Sequence, residues 1–211
     1  MHFHIITLFP KVFDSYLGES ILKRAIDDKK IKVSFYNPRD YVKDKHKRID
    51  RAPYGGGPGM VIQAEPVIKA IAKAKGSKKK IKIIFLTPGG QLFDNKYATK
   101  ITKNYKDIII ICGRYEGIDA RVRKVFRTDE ISVGPFVLTG GELPAMLIID
   151  VVARQLEGVL GNFKSLEERR IAYKDVYTRP EEFKYKSKKY KVPKVLLSGN
   201  PKKIDLWRRR G

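Results

Sequence analysis

The feature that most constrains the fold of this chain is the alternation of short apolar runs with segments of helical periodicity. Runs of strand length occupy residues 3–9, 31–36, 81–86, 108–112 and 131–138. Most are apolar throughout, which is typical of parallel strands covered on both faces. Segments of helical period occupy residues 11–27, 64–75, 95–104, 120–126 and 142–160. The alternation predicts an α/β fold in which helices flank a doubly wound parallel sheet.

Length and composition fit a folded protein of the cytoplasm. The 211 residues are 42% hydrophobic, which is enough for one core and a small appendage. The sequence has no apolar run of about 18 residues and no basic leader, so we expect a cytoplasmic protein without a membrane partner. Cys112 is the single cysteine and cannot form an internal disulfide. Its position at the end of an apolar run favours a buried residue over a nucleophile.

The net charge indicates a polyanionic partner. The chain has 45 Lys and Arg residues against 23 Asp and Glu residues, a formal net charge of +22. Such a surface attracts phosphate backbones through counterion release, so a nucleic acid is the first partner to consider and an anionic membrane the second. The alternative is a generally lysine-rich composition, because runs such as residues 78–80 are solvated in any protein.

A change in composition near residue 162 divides the chain. Residues 161–211 contain sixteen Lys or Arg and six Asp or Glu, with almost no apolar periodicity. We therefore expect a sheet domain over residues 1–160, a lid or interdomain linker over 161–178 and a truncated basic C-terminal region over 179–211. That remainder is too short for a further stable domain.

Three glycine-rich loops follow the carboxyl ends of successive predicted strands. They are TPGG at residues 87–90, GRYEGID at 113–119 and VGPFVLTGGE at 133–142. Ligands of open α/β sheets bind beyond the carboxyl ends of the strands, so the loops predict one pocket lined by main chain. Gly140 and Gly141 allow a turn closed to residues with a Cβ and leave backbone N–H and C=O groups accessible beside a helix start.

Two common nucleotide sites are not expected. No G-x-G-x-x-G follows the first predicted strand, where a dinucleotide-binding fold has it. The loop PYGGGPGM at residues 53–60 lacks the Gly-Lys-Ser/Thr ending of an ATP phosphate loop. Neither NAD nor ATP is therefore predicted as a cofactor.

An ordered series of motifs extends along nearly the whole chain. It reads FPKVFDSY, PRDY, DKHKRIDRAPYGGGPGM, LTPGG, ICGRYEGIDARV, EISVGPFVLTGGELPAMLIID, ARQLEGVLGN, YTRPEEF and VPKVLLSGN followed by IDLWR. This series resembles the bacterial tRNA (guanine-37-N1)-methyltransferases of the SPOUT superfamily. The resemblance implies a SPOUT-type sheet domain with a C-terminal trefoil knot, an exception to the rule that chains avoid knots, and a homodimer. A SPOUT enzyme acting on a ribose 2′-hydroxyl fits this motif order less well.

The resemblance also implies the substrates. The methyl donor is then S-adenosyl-L-methionine, and the acceptor is N1 of guanosine 37 in tRNA, just 3′ of the anticodon; no metal ion is implied. By matching to the family, the cofactor contacts fall on Leu86, Thr87, Pro88, Gly90, Gly113, Tyr115, Glu116, Val133, Gly134, Pro135, Phe136, Val137, Leu138, Gly140 and Gly141.

Methyl transfer to guanine N1 needs a base and a hydrogen-bond donor. N1 carries a proton that must leave, and negative charge develops on O6. The resemblance assigns the donor to Arg154, on the helix that follows the glycine pair. The alternative for Arg154 is an ordinary surface pair with Asp150 at i, i+4.

The resemblance does not assign the general base. An aspartate of the lid takes this role in the family, but ungapped counting places Arg169 there, and an arginine has no acceptor for the proton. The lid is a few residues shorter than in the family, so a gap brings Glu167 or Glu168 to that position. Glu168 is our candidate and Asp175 a poorer one. In the alternative interpretation these residues are a solvated charge cluster.

Two further departures from the family concern affinity. Pro135 stands where the family usually has an aspartate, which removes one N–H and one carboxylate from the cofactor loop. The sequence stops at IDLWRRRG, whereas the family continues into a helical domain that holds the anticodon stem. We expect weaker binding of cofactor and tRNA, with partial compensation by the arginines at 208–210. The competing hypothesis is a catalytically reduced SPOUT-like RNA-binding protein.

The remaining polar residues have structural interpretations. His46 has no neighbouring metal ligands, and His2 and His4 alternate on the first strand, where we expect partial exposure. No metal site is therefore predicted. Arg114 and Arg121 are open to two interpretations, either RNA contacts or salt bridges in a dimer.

Overall fold

The computed structural model describes residues 1–160 and 175–208. The chain forms two units, Met1–Phe163 and Lys164–Gly211. The first unit contains a five-stranded sheet, its covering helices and a small two-stranded sheet, whereas the second contains a two-stranded hairpin and short helices. No helix in the described ranges is long and apolar enough to cross a membrane.

The strands, in chain order, are β1 (His2–Ile6), β2 (Lys32–Tyr36), β3 (Asp50–Arg51), β4 (Val61–Ile62), β5 (Ile81–Leu92), β6 (Asp107–Ile111), β7 (Asp129–Ser132), β8 (Glu182–Tyr185) and β9 (Lys188–Lys191). The α-helices are α1 (Asp14–Leu17), α2 (Ser20–Asp27), α3 (Ala64–Lys75), α4 (Asn95–Asn104), α5 (Arg121–Val125), α6 (Glu142–Arg154), α7 (Lys194–Leu197) and α8 (Pro201–Arg208). Short 3-10 helices follow β1 at Pro10–Phe13 and β2 at Pro38–Tyr41.

The sheet is parallel throughout, with strand order β2-β1-β6-β5-β7. In the central strand β6, Ile108 and Ile110 pack into one hydrophobic core with α2, α4 and α6. Ile109 and Ile111 point to the opposite face and pack into a second core with α3. Helices therefore cover both faces of the sheet, which is why the strand is apolar at every position. This confirms the predicted α/β fold with a parallel sheet flanked by helices.

Two predicted helices match the structure to the residue. Helix α3 spans residues 64–75 and ends at Gly76, whose φ of 51° a residue with a side chain adopts only with strain. Helix α4 spans residues 95–104, and the Asp94 carboxylate caps it by accepting the Tyr97 N–H at 2.7 Å.

The single helix predicted over residues 11–27 is wrong. The segment forms a 3-10 helix, α1 and α2 instead. The Gly18 N–H closes α1 on the Asp14 carbonyl at 2.9 Å, and Ser20 then takes a positive φ of 52°. The apolar period continues across this break, so periodicity alone does not reveal it.

Two predicted elements are shorter than expected because local hydrogen bonds end them. The strand predicted over residues 131–138 ends at Ser132, whose hydroxyl donates to the Gly134 carbonyl at 2.9 Å and starts a turn. The helix predicted over residues 142–160 ends at Arg154, and the Gln155 N–H turns back to the Val152 carbonyl at 3.1 Å.

His4 is buried, which corrects the predicted partial exposure. Its side chain is 1% exposed, and its Nε2 lies 2.8 Å from Asp107 Oδ1. Its Nδ1 lies 3.2 Å from the Tyr36 hydroxyl. His2 remains partly exposed, with Nε2 2.9 Å from Ser34 Oγ. Burial lowers the pKa of both imidazoles, that of His2 to about 4.

The second unit contains regular structure that the sequence did not predict. Strands β8 and β9 form an antiparallel hairpin, in which the rings of Phe183 and Tyr190 stack at 5.4 Å between centroids. Glu182 pairs with Lys191 at 2.9 Å and with Lys189 at 3.2 Å. The hairpin is solvated on both faces, and so it lacks the apolar alternation from which strands are predicted.

Candidate active site

A cavity of about 300 Å³ opens at the carboxyl edge of the sheet, next to β5, β6 and β7. This volume is at the lower end of the range for small-molecule sites. Main chain and apolar side chains make up most of its wall. The lining residues are Phe85, Leu86, Thr87, Pro88, Gly113, Arg114, Tyr115, Glu116, Gly117, Ile118, Ile131, Ser132, Val133, Phe136, Val137, Leu138, Thr139, Gly140, Gly141 and Pro144.

Gly140 and Gly141 bring the start of α6 against the end of β6. The Gly141 N–H donates to the Gly113 carbonyl at 2.9 Å, and Gly140 forms an antiparallel bridge with Arg114. A Cβ on Gly141 would lie 2.6 Å from Cys112 Cα, and one on Gly140 would lie 2.3 Å from Arg114 Nε. The φ of Gly141 is −83°, so glycine is required here by the close approach of two segments rather than by an unusual turn.

A bulge in β5 forms the second wall. Leu86 and Gln91 both lie opposite Ile131 of β7, so residues 87–90 loop out between them. A Cβ on Gly90 would lie 2.6 Å from the Glu130 backbone, whereas one on Gly89 would meet nothing within 4 Å. The loop that the sequence predicted at residues 87–90 is therefore a bulge inside a longer strand.

A tight turn over residues 114–117 forms the third wall. The Gly117 N–H donates to the Arg114 carbonyl at 3.0 Å, and Tyr115 takes a positive φ of 59°. The Glu116 N–H donates to the Met60 carbonyl at 3.0 Å, which ties the turn to the glycine-rich segment over residues 53–60. The Tyr115 side chain is half exposed beside the cavity.

A buried polar relay, defined as Thr7, Glu142 and Arg114, joins three elements beside the cavity. The Thr7 hydroxyl donates to Glu142 Oε1 at 2.8 Å, and Arg114 Nε donates to Glu142 Oε2 at 2.9 Å. Thr7 is 1% and Glu142 3% exposed. The Arg114 guanidinium also lies over the Phe9 ring, 4.7 Å from its centroid. The relay fixes the end of β1, the turn after β6 and the start of α6 relative to one another.

The sequence suggested RNA contacts or dimer salt bridges for Arg114. In the structure Arg114 pairs with Glu142 of its own chain. Arg121 likewise pairs locally, with Asp119 at 2.6 Å. Nothing in the sequence linked Thr7 to Glu142, because 135 residues separate them. Only a polar residue at the first position of an apolar helix, as Glu142 is, gave a hint that this end of α6 meets a partner.

Most of the residues predicted to bind the cofactor come together at this cavity. Gly90, Gly134 and Pro135 are not part of its wall. Gly90 sets the bulge against β7, and a Cβ on Gly134 would lie 2.2 Å from the Phe136 ring, so both shape the wall from behind. Gly117, Ile118 and Thr139 belong to the predicted loops, whereas the sequence did not predict lining roles for Phe85, Ile131, Ser132 and Pro144.

Comparison with known proteins gives the family. The family model described as tRNA (Guanine-1)-methyltransferase TrmD matches residues 1–211. The chain belongs to this family. A tRNA (guanine-N(1)-)-methyltransferase of Citrifermentans bemidjiense is 47% identical over 215 residues, covering 100% of this chain and 84% of the relative. Relatives with the same description occur in Clostridioides difficile, at 46% identity with 99% and 91% coverage, and in Caldanaerobacter subterraneus, at 48% with 100% and 86%.

Within this member of the tRNA (guanine-1)-methyltransferase family, Arg154 lies far from the cavity of its own chain. Arg154 is the last residue of α6, whereas Glu142 is the first and adjoins the cavity. At about 1.5 Å rise per residue the two positions are about 18 Å apart. Asp150 accepts a hydrogen bond from the Tyr16 hydroxyl. Among the described residues Asp150 and Arg154 form no ion pair, so the simple surface pair is not present.

The lid candidates for the general base lie outside the described residues. This applies to Glu167, Glu168 and Arg169. Asp175, the poorer candidate, is exposed. The described residues of this family member therefore give the cavity and the relay, and the role of Glu168 stays a prediction.

Proposed function

We propose that this chain transfers the methyl group of S-adenosyl-L-methionine to N1 of guanosine 37 in tRNA, giving 1-methylguanosine. The observation that carries the proposal is the main-chain cavity closed by the hydrogen bond from Gly141 to Gly113. It lies where three loops meet, in a chain that belongs to the tRNA (guanine-1)-methyltransferase family. The net charge of +22 suits a tRNA substrate.

The cavity has the properties that the cofactor requires. Gly113, Gly140 and Gly141 leave its wall without side chains at these positions. Exposed apolar side chains at Phe136, Val137 and Leu138 offer contact surface. When bound, the cofactor supplies an electrophilic methyl group on a sulfonium. We assign cofactor binding to the fifteen contact residues given above by matching to the family. Gly90 and Gly134 contribute through the shape of the cavity wall. Pro135 adds no N–H donor there.

The reaction needs two polar groups in addition to the cofactor cavity. We assign removal of the N1 proton to the Glu168 carboxylate and stabilisation of charge on O6 to the Arg154 guanidinium. Because Arg154 lies about 15 Å along α6 from Pro144, which lines the cavity, a single chain does not place it there. The site is therefore completed by a second copy of the chain.

One face of α6 supports this arrangement. Leu143 and Leu147 are 59% and 40% exposed, and Arg154 follows them on the same face of the helix, eleven residues after Leu143. Tyr16 lies beside this face, bound to Asp150, and is itself 46% exposed. A homodimer that buries this stripe carries Arg154 of one chain toward the partner.

The finer architecture is part of the same proposal. Residues 1–160 form the SPOUT methyltransferase domain with its trefoil knot, residues 161–178 the lid, and residues 179–211 a short basic region for tRNA. The close approach of Gly141 to Cys112 packs the start of α6 against the end of β6. A protein with this substrate works in the cytoplasm.

The reaction is tested by transfer of labelled methyl from S-adenosyl-L-methionine to two tRNA transcripts, one with G36 and G37 and one with A37. We expect 1-methylguanosine only in the G37 transcript, and loss of transfer by at least about a hundredfold in Arg154→Ala and Glu168→Ala. Glu167→Ala is the control and should keep most of the activity. Equal methylation of both transcripts contradicts the assigned nucleotide.

Completion of the site by a partner is tested by mixing two inactive variants. Arg154→Ala keeps the cavity, and Gly113→Val fills it while its Cβ meets no atom closer than 3.8 Å. After co-refolding in equal amounts, half of the dimers are hybrids with one complete site. We expect about a quarter of the wild-type activity to return. No recovery, with wild type active, contradicts the shared site but leaves the reaction intact.

The competing hypothesis, a catalytically reduced RNA-binding protein, predicts a different outcome. Wild type then binds tRNA and the cofactor but transfers no methyl group. The cavity built from three loops gives that hypothesis no support, because RNA binding alone does not need it.

A further inference from the structure

Three potential metal ligands converge at the amino edge of the sheet, opposite the candidate active site. His2 of β1 lies opposite Asp107 of β6, and His4 is the next residue of β1 on the same face of the sheet. One ligand atom from each lies within 4.8 Å of the other two. His2 Nδ1 is 3.8 Å and His4 Nε2 is 2.8 Å from Asp107 Oδ1. The two rings are 3.8 Å apart between centroids.

The outer nitrogen of each imidazole has a hydroxyl partner. His2 Nε2 lies 2.9 Å from Ser34 Oγ, and His4 Nδ1 lies 3.2 Å from the Tyr36 hydroxyl. Metal-binding histidines are commonly oriented in this way, with the second ring nitrogen donating to an oxygen. Both hydroxyls come from β2, so the sheet itself fixes the direction in which the other two nitrogens point.

We propose that His2, His4 and Asp107 bind one late first-row divalent cation, with Zn²⁺ as the reference ion. Imidazole and carboxylate together suit this class of ion. On binding, the single proton of the neutral His4 ring moves from Nε2 to Nδ1, where it is donated to the Tyr36 hydroxyl, and Nε2 and the Asp107 carboxylate become ligands. Water occupies the remaining positions.

The site is accessible and its charge surroundings limit its affinity. The side chains of His2 and Asp107 are 24% and 21% exposed, so an ion reaches the cluster without unfolding. Lys32, Lys78 and the amino terminus of Met1 also lie near the cluster, and their positive charge opposes a cation. We therefore expect affinity in the micromolar range rather than that of a structural zinc finger. Bound metal links β1 to β6 and raises the melting temperature.

The test uses untagged, chelator-stripped full-length protein titrated with Co²⁺, followed by visible absorption, and with Zn²⁺, followed by calorimetry. We expect one saturable equivalent and at least a tenfold loss of affinity in His2→Ala and in Asp107→Asn. His46→Ala is the matched control, because His46 is exposed and outside the cluster, and it should bind as wild type does. Circular dichroism checks the fold of each variant.

The variant Asp107→Cys tests the site independently if those changes weaken the fold. Asp107→Cys offers a thiolate in the same place, and with Co²⁺ it should add a sulfur-to-metal absorption band that wild type lacks. Absence of saturable binding to wild type, or equal affinity in wild type and His2→Ala, overturns the proposal and leaves a hydrogen-bonded cluster only. Methyl transfer by His2→Ala should equal that of wild type, because the cluster is at the other edge of the sheet.

Discussion

At the scale of single residues, the candidate site depends on a carboxylate that has been removed from water. Glu142 is 3% exposed and its two oxygens accept from Thr7 and Arg114. A buried charge is tolerated only while its partners remain, since removal of one partner leaves the other unpaired. The relay therefore holds the cavity in shape and is a point of vulnerability.

The relay gives a prediction about stability. Arg114→Ala should lower the free energy of unfolding by about 3 kcal/mol, because it leaves the Glu142 carboxylate without its cation. Thr7→Val should lower it by about 1–2 kcal/mol. Lys69→Met removes an exposed ion pair with Glu65 and should change it only slightly. Urea unfolding measures all three, and equal losses contradict the relay.

Cys112 should be inert in the native protein. Its thiol is fully buried, and burial, followed by the nearby Glu142 carboxylate, raises its pKa well above the usual value. The thiolate is then absent at pH 8 to 9. We expect alkylation by iodoacetamide only at the rate of global unfolding, and no effect of Cys112→Ser on methyl transfer. Rapid alkylation of the folded protein, detected by mass spectrometry, contradicts the burial of the Cys112 thiol.

At the scale of elements, the sequence predicts the limits of a helix best where one segment of helical periodicity forms a single helix. α3 and α4 have their predicted limits, because a capping Asp94 and a terminal Gly76 agree with the apolar period. The prediction of one helix over residues 11–27 is wrong because the chain breaks at Gly18, although the apolar periodicity continues on both sides of it. The cavity was predictable from three loops at strand ends, whereas the relay was not, because only the fold brings Thr7 to Glu142.

The bulge in β5 offers a matched pair of glycine variants. Gly90→Ala places a Cβ 2.6 Å from the Glu130 backbone, and Gly89→Ala meets nothing within 4 Å. We expect Gly90→Ala to lower the free energy of unfolding by about 1–3 kcal/mol and to weaken cofactor binding, because the bulge must move. Gly89→Ala should change neither by much. Calorimetric titration with the cofactor and thermal unfolding distinguish the two, and identical behaviour contradicts the close packing.

At the scale of the whole molecule, charge is the dominant property. A net charge of +22 favours a polyanion such as tRNA, whereas in the described part of the chain the charged residues that line the cavity are Arg114 and Glu116. Under the proposed function, we expect counterion release to set the affinity for RNA. We expect the shape of the cavity and main-chain hydrogen bonds to set the affinity for the cofactor.

Ionic strength should separate these two affinities. Between 50 and 200 mM salt we expect tRNA affinity to fall about a hundredfold, as release of counterions at about four phosphates gives. Cofactor affinity should change by less than about twofold, because exposed charges at a distance are already screened. Fluorescence anisotropy and calorimetry measure the two. A salt-independent tRNA affinity contradicts an electrostatic origin.

The parallel register of β1 with β6 also has a consequence for biosynthesis. His2 pairs with Asp107, about a hundred residues later, so at about 5–20 residues per second the first strand waits about 5–20 s for its neighbour to be translated. Strand β2 arrives much sooner and covers one side of β1, but the other edge stays open to aggregation. Nascent chains that end before residue 107 should therefore be protease-sensitive on the ribosome and depend on chaperones, until β6 pairs with the open edge of β1.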